Sequence, residues 1–121
     1  MIPKVIYRSW LTQNLPKKVE KSVKKLLKAN PDYEHIIYTD SQIHDYVNAN
    51  FDENIRLAFN SLGHIVPKVD LWRYLILYRN GGIYVDIDSW YDIDTYYGIN
   101  YTTAFNFGPR IESNTTVNNL V

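Results

Sequence analysis

Two aspartates separated by one residue, Asp86 and Asp88, follow directly on the apolar run Ile83-Tyr84-Val85. Side chains alternate along an extended segment, so the two carboxylates point to the same side with their Cα atoms roughly 6.5 to 7 Å apart. Holding two negative charges that close is costly unless a cation neutralises them, and a ligand set made only of oxygen favours hard ions such as Mg²⁺ or Mn²⁺. Two protein carboxylates leave coordination positions for phosphate oxygens and water. That is the arrangement needed where a diphosphate must depart, because a metal offsets the charge building on the leaving group without any proton transfer.

Other residues compete for attention less strongly. Asp92 and Asp94 form a second Asp-x-Asp, but they follow Trp90-Tyr91 rather than a clean apolar strand and read as a solvated loop. Asp70 and Arg73 lie at i and i+3 of a predicted helix, so they share a face, and an ordinary intrahelical ion pair is one reading of them. His35, His44 and His64 are scattered without metal-ligand spacing and read as structural or surface residues. Gly81-Gly82 closes a helix instead of opening one, which argues against a phosphate loop of the Walker or dinucleotide type. Asn100-Tyr101-Thr102 and Asn114-Thr115-Thr116 fit the glycosylation acceptor pattern, as an Asn-rich chain will by chance.

The elements that must position these side chains follow from periodicity. Val5-Ile6-Tyr7 reads as a buried first strand ending at Arg8-Ser9-Trp10. Pro16 opens a helix with Val19, Val23, Leu26 and Leu27 on one face, and Asn30-Pro31 ends it. Its other face carries Lys17, Lys18, Lys21, Lys24, Lys25 and Lys28, read as a solvated face rather than a nucleic-acid or membrane patch. His35-Ile36-Ile37-Tyr38 is a second strand, and Thr39-Asp40-Ser41 supplies N-cap chemistry for a helix bearing Ile43, Tyr46 and Val47. A short helix around Ile55 to Phe59 precedes Leu62-Gly63. A longer one runs from near Val66-Pro67 to Arg79, with Val69, Trp72 and Ile76 on one stripe and Leu71, Leu75 and Tyr78 beside it. Asn80-Gly81-Gly82 stops that helix before the strand Ile83 to Val85, so the acidic pair stands at a strand's carboxyl end, the edge where open α/β sheets bind ligands. Tyr101 to Phe107 is a candidate further strand.

Composition sets the outer limits. The chain has 121 residues, 45% of them apolar and 21% charged, with Lys plus Arg equal to Asp plus Glu. These values fit one globular domain over residues 1–121 and speak against disorder and against nucleic acid as a partner. Cysteine is absent, which removes disulfides, thiolate metal sites and a Cys nucleophile. Arg73, Arg79 and Asp86 interrupt the longest hydrophobic stretches, so no signal peptide or membrane span is expected, and a cytoplasmic location is the default expectation.

The segment Asp70-Leu71-Trp72-Arg73-Tyr74-Leu75-Ile76-Leu77-Tyr78, followed by Gly81-Gly82-Ile83-Tyr84-Val85-Asp86-Ile87-Asp88, resembles the glycosyltransferase family with the DXD sugar-binding region. That family includes initiating α-1,6-mannosyltransferases, α-1,4-galactosyltransferases and α-1,4-N-acetylglucosaminyltransferases, and is similar to the catalytic domains of clostridial glucosylating toxins. Two further blocks in the same order carry the resemblance: Ile2-Pro3-Lys4-Val5-Ile6-Tyr7-Arg8-Ser9-Trp10, and Asn30-Pro31-Asp32-Tyr33 with Tyr38-Thr39-Asp40. The chain departs from the family where Tyr7-Arg8 replaces His-Gln and where Ile87 replaces Thr.

The resemblance implies an α/β fold of the nucleotide-diphospho-sugar transferase (GT-A) type, mostly parallel with helices on both faces. It implies transfer of a hexose from a UDP- or GDP-hexose to a glycan, lipid or protein hydroxyl, with retention at the anomeric carbon and with Mn²⁺ or Mg²⁺ as cofactor. Asp70 and Arg73 would face the donor sugar, Asp86 the ribose or sugar side, and Asp88 the metal; Trp10 would stack on the nucleotide base or else belong to the core. Trp72 and Trp90 have no comparable claim. Relatives continue well past this length with an acceptor region, so this chain is expected to hold the donor-binding part with little or none of that region. The alternative function is an inert nucleotide-sugar binding module, and a third is a metal-dependent phosphohydrolase using the same aspartates.

Overall fold

The computed structural model describes residues 2–87. Within them the order is β1 (Val5–Trp10), α1 (Lys17–Ala29), β2 (Glu34–Thr39), α2 (Asp40–Asn50), α3 (Glu53–Ser61), α4 (Ile65–Asn80) and β3 (Ile83–Tyr84). The three strands form a parallel sheet in the order β2-β1-β3. Val5 pairs with Glu34 and Trp10 with Thr39 on one side of β1, while Ile6 pairs with Ile83 and Tyr7 with Tyr84 on the other. The expected strand around Tyr101 to Phe107 lies outside the described residues, as do Asp88, Trp90, Asp92 and Asp94.

Alternation along β1 and β3 divides the interior into two apolar clusters. Ile6, Ile83 and Val85 face α1 and pack with Ile2, Leu26 and Tyr33. Tyr7 faces the other way, among Ile43, Val47, Phe59, Trp72, Ile76 and Leu77 of α2, α3 and α4, with Tyr38 and Tyr84 beside them. Helices therefore cover both faces of the sheet, as the family resemblance implied. Burying each of the larger aliphatic or aromatic side chains stabilises the fold by roughly 1.5–3 kcal/mol relative to leaving it in water.

The helix boundaries have local causes. Thr39 caps α2 with a reciprocal pair: its hydroxyl accepts from the Gln42 N–H at 3.2 Å, and the Gln42 side-chain oxygen accepts from the Thr39 N–H at 2.9 Å. Asp52 caps α3 by accepting from the Ile55 N–H at 3.0 Å. The α1 helix starts after Pro16, whose φ of −58° is already set for a helix, and has Glu20 in its first turn and Lys28 in its last, matching the helix dipole. At the end of α4, Gly81 takes φ 72° and donates its N–H to the Leu77 carbonyl at 2.8 Å.

The first strand ends at Trp10 as read from the sequence, with Arg8 buried within it at 1% exposure, and the third differs from expectation in length. The third pairs only through Ile83 and Tyr84, with the Val85 N–H still donating to the Tyr7 carbonyl at 3.1 Å. Beyond Val85 the backbone leaves the ladder.

Candidate functional site

From β1 the chain crosses to β2 on one side, then returns through α2, α3 and α4 to β3 on the other. Strand order therefore reverses at β1, and the carboxyl ends of β1 and β3 flank the crevice where ligands enter open α/β sheets. A cavity of about 550 Å³ opens there, lined among others by Ser9, Trp10, Asp40, Asp70, Arg73, Tyr84 and Asp86. That size suits a small-molecule ligand. The four described residues singled out from the sequence, Trp10, Asp70, Arg73 and Asp86, thus line one cavity although they come from three different elements.

Each wall has its own construction. Trp10 ends β1 half-buried and belongs to neither apolar cluster, so its indole is part of the cavity wall rather than of the core. On α4, Arg73 donates from Nη2 to Asp70 Oδ1 at 3.0 Å, which is the i, i+3 pair that spacing allowed. Both residues also line the cavity, so the ion pair and a cavity-facing position coexist. The Arg73 guanidinium carbon stands 4.4 Å from the centre of the Tyr84 ring, a cation–π contact that holds the charged plane against the cavity wall. Tyr84 is itself braced by its hydroxyl, 3.1 Å from the Ser9 hydroxyl, and by Trp72 at 6.0 Å between ring centres. Trp72 is fully buried against Tyr38 and Tyr84, consistent with its reading as a core residue.

Asp86 is exposed two residues past the end of β3 and lines the same cavity. Tyr84 and Ile87 line it too. Asp40, read from the sequence only as part of a helix start, contributes a third carboxylate to the lining with Asp70 and Asp86. Burial raises the Asp40 carboxyl above its ordinary value, an effect that nearby His44 opposes. Among the described residues no group of three or more His, Cys, Asp or Glu is gathered closely enough to hold a metal ion. The histidines are engaged elsewhere: His44 Nδ1 donates to the Asp40 carbonyl at 3.0 Å and its Nε2 accepts from Lys68 at 3.2 Å, while His35 Nε2 lies 3.4 Å from the Asn30 carbonyl.

Arg8 was noticed in the sequence only as a departure from a family pattern. Its Nη2 donates to the carbonyls of Asp86 at 2.9 Å and Ile87 at 2.7 Å, so a buried cation grips the backbone of the acidic segment from the neighbouring strand. A charge between Tyr7 and Ser9 in an otherwise apolar strand is the signal that could have flagged it, since a buried guanidinium must find acceptors.

With this geometry in place, residues 16–95 match the model of the family described as glycosyltransferase sugar-binding region containing DXD motif. The chain belongs to this glycosyltransferase family. The matched stretch begins after β1 and spans both acidic pairs. Among curated relatives, inositol phosphoceramide mannosyltransferase 3 of Schizosaccharomyces pombe is 32% identical over 87 residues, covering 72% of this chain and 24% of its own. Inositol phosphoceramide mannosyltransferase 1 of the same yeast is 33% identical over 90 residues, covering 72% and 28%. The initiation-specific alpha-1,6-mannosyltransferase of Candida albicans is 30% identical over 93 residues, covering 72% and 24%. This chain therefore spans about a quarter of the length of these relatives. No solved structure matches it.

Proposed function

We propose that this chain is the donor-binding part of a retaining glycosyltransferase that moves a hexose from a nucleotide diphosphate sugar to a hydroxyl acceptor. The observation that carries this reading is the convergence of Trp10, Asp70, Arg73 and Asp86 on one cavity at the strand-order reversal of a chain in this family. The names of the relatives favour mannose as the hexose and a lipid or glycan as the acceptor. Trp10 offers a flat surface for the nucleotide base at low entropic cost. Arg73, already held by Asp70 and by the Tyr84 ring, donates to the diphosphate or to sugar hydroxyls without first having to be ordered. Asp70 keeps acceptor capacity beyond its bond to Arg73 and receives hydrogen bonds from the sugar.

Asp86 offers only oxygen donors, the kind that a small hard cation takes, and diphosphate oxygens of a bound donor would supply further ones. Asp86 and Asp88 are the residues that would hold Mn²⁺ or Mg²⁺, with Asp88, outside the described residues, as the more direct ligand. Such an ion supplies neutralisation of the charge on the departing diphosphate. Asp86 orients toward the ribose or sugar side, and the apolar lining from Leu11, Val19, Val66 and Val69 limits water around the phosphates.

Thermal shift with a panel of UDP- and GDP-hexoses, with and without Mn²⁺, tests the reading. A donor present at a hundredfold its Kd stabilises the native form by about 2.7 kcal/mol, a shift of several degrees. The expected result is a shift for one nucleotide series that requires Mn²⁺ and is lost in Asp88→Asn with folding intact. Binding without transfer or hydrolysis would favour the inert module, and release of inorganic phosphate from plain nucleotides the phosphohydrolase. The absence of any nucleotide-sugar shift would contradict the reading.

A further inference from the structure

The ladder between β1 and β3 ends at the Val85 N–H, one residue before the acidic segment. Among the described residues no strand lies opposite the carbonyls of Asp86 and Ile87 to supply donors, and a segment without partners frays. Both carbonyls instead accept from the two hydrogens of one nitrogen, Arg8 Nη2, at 2.9 and 2.7 Å. Arg8 stands on the central strand, anchored by pairing on both sides, and is 1% exposed. Burying a guanidinium is expensive, and charge-assisted bonds to carbonyls are among the few arrangements that offset the cost. This bond therefore carries the rigidity of the sheet's middle strand out to a backbone that the ladder no longer holds.

We propose that Arg8 is a positioning residue for the acidic strand end: by gripping the Asp86 and Ile87 carbonyls it fixes the direction in which the Asp86 carboxylate enters the cavity. The inference rests on the donor-binding reading above and adds to it a residue that touches neither sugar nor phosphate. Its cation also lies against the backbone of the segment that bears Asp86, and so lowers the cost of holding a carboxylate there before any metal arrives.

The test is the affinity of the full chain for Mn²⁺ alone, followed by the free-ion electron paramagnetic resonance signal, with near-ultraviolet circular dichroism fixing the folded fraction. Arg8→Met removes every donor and is expected to raise the Kd for Mn²⁺ about tenfold or more, the range seen when partners behind a metal ligand are lost. Arg8→Gln keeps one amide donor and should restore part of that loss. Arg56→Met removes another arginine-to-carbonyl bond, 2.8 Å to Phe51 and remote from the strand ends, and should leave the affinity unchanged. Unaltered Mn²⁺ affinity in folded Arg8→Met overturns the inference while leaving the donor-binding reading intact. An unsubstituted chain that binds no Mn²⁺ overturns the metal site and this inference with it. If neither Arg8 variant folds, arginine side-chain NMR of the unsubstituted chain decides: the Arg8 signals should move on titration with Mg²⁺, and fixed signals contradict the proposal.

Discussion

Helices α1 and α4 both cover the sheet, yet their sequences look unlike each other, and the contrast separates covering from building. The α1 helix has chiefly one task, although its Val19 reaches the cavity lining. It presses Leu26 onto Ile6, Ile83 and Val85 and turns Lys17, Lys18, Lys21, Lys24, Lys25 and Lys28 to water. Leu27, expected on the packed face, is instead exposed, because the helix turn that buries Leu26 together with Ser22 points its next residue outward. The α4 helix has no such clean division, because Trp72, Ile76 and Leu77 go to the core while Ile65, Val66, Val69, Asp70 and Arg73 wall the cavity. Tyr74 and Tyr78 stand exposed on a further side. A helix whose apolar residues serve a core and a cavity at once smears the periodicity that marks a simple amphipathic helix.

The largest effects should separate the two helices by consequence. Trp72→Ala removes a fully buried indole between Tyr38 and Tyr84 and should cost about 3–5 kcal/mol in urea unfolding. It should also weaken nucleotide-sugar binding by the folded fraction, since Tyr84 and Arg73 lose their backing. Leu26→Ala in α1 should cost about 2–5 kcal/mol yet leave that binding unchanged. Equal binding losses in both variants would erase the distinction.

Next in size is the hinge between α4 and β3. Gly82 has φ 111°, and a Cβ there would meet the Val5 carbonyl oxygen at 2.9 Å and the Tyr7 ring at 3.0 Å. Gly82→Ala combines backbone strain with overpacking against the central strand, about 2–4 kcal/mol by the same unfolding assay. Gly63, with open space around it, is the control: Gly63→Ala should change little.

A smaller effect belongs to the α1 side. His35 is pushed below its ordinary value of 6.5, first by burial and also by the charge of Arg8, with its bond to the Asn30 carbonyl opposing. As pH falls below about 6.5 the unfolded chain takes up this proton before the folded one does. The stability present above that pH is therefore lost as pH drops through the folded value, and melting temperature should decline between pH 7 and 5. His35→Gln should flatten that decline; an unchanged slope would count against His35 as its source. Smallest of all, Lys24→Ala breaks the exposed pair with Glu20 at 3.2 Å and should cost no more than about 0.5 kcal/mol, with no change in nucleotide binding.

How much was legible in the sequence follows the same contrast. Thr39 and Gly81 mark helix ends through chemistry confined to a few neighbouring residues, and α1 announces itself by periodicity, so these were readable in place, whereas the Asp52 cap of α3 emerged only in the structure. Asp86, Asp70 and Arg73 were named from spacing and given donor roles by the family blocks that also supplied Trp10, but only the parallel order β2-β1-β3 brings the four to one cavity. Tyr84 was read as strand filling. Its use as a support for Arg73 depends on the distance between α4 and β3, which sequence spacing does not encode. Arg8 is separated by 78 residues from the carbonyl it holds, so its place in a buried strand hints that it needs acceptors but not which ones. Asp40 was hidden by its own helix-starting position, since the residue that opens α2 also faces the cavity.

A crystal structure of the chain grown with Mn²⁺ and either UDP or GDP tests the central claim most directly. The account predicts a base against Trp10, a diphosphate within reach of Arg73, and the ion between that diphosphate and the Asp86 end of β3. A nucleotide bound away from the β1 and β3 carboxyl ends, or one seated there with Arg73 and Asp86 both out of contact, would contradict it.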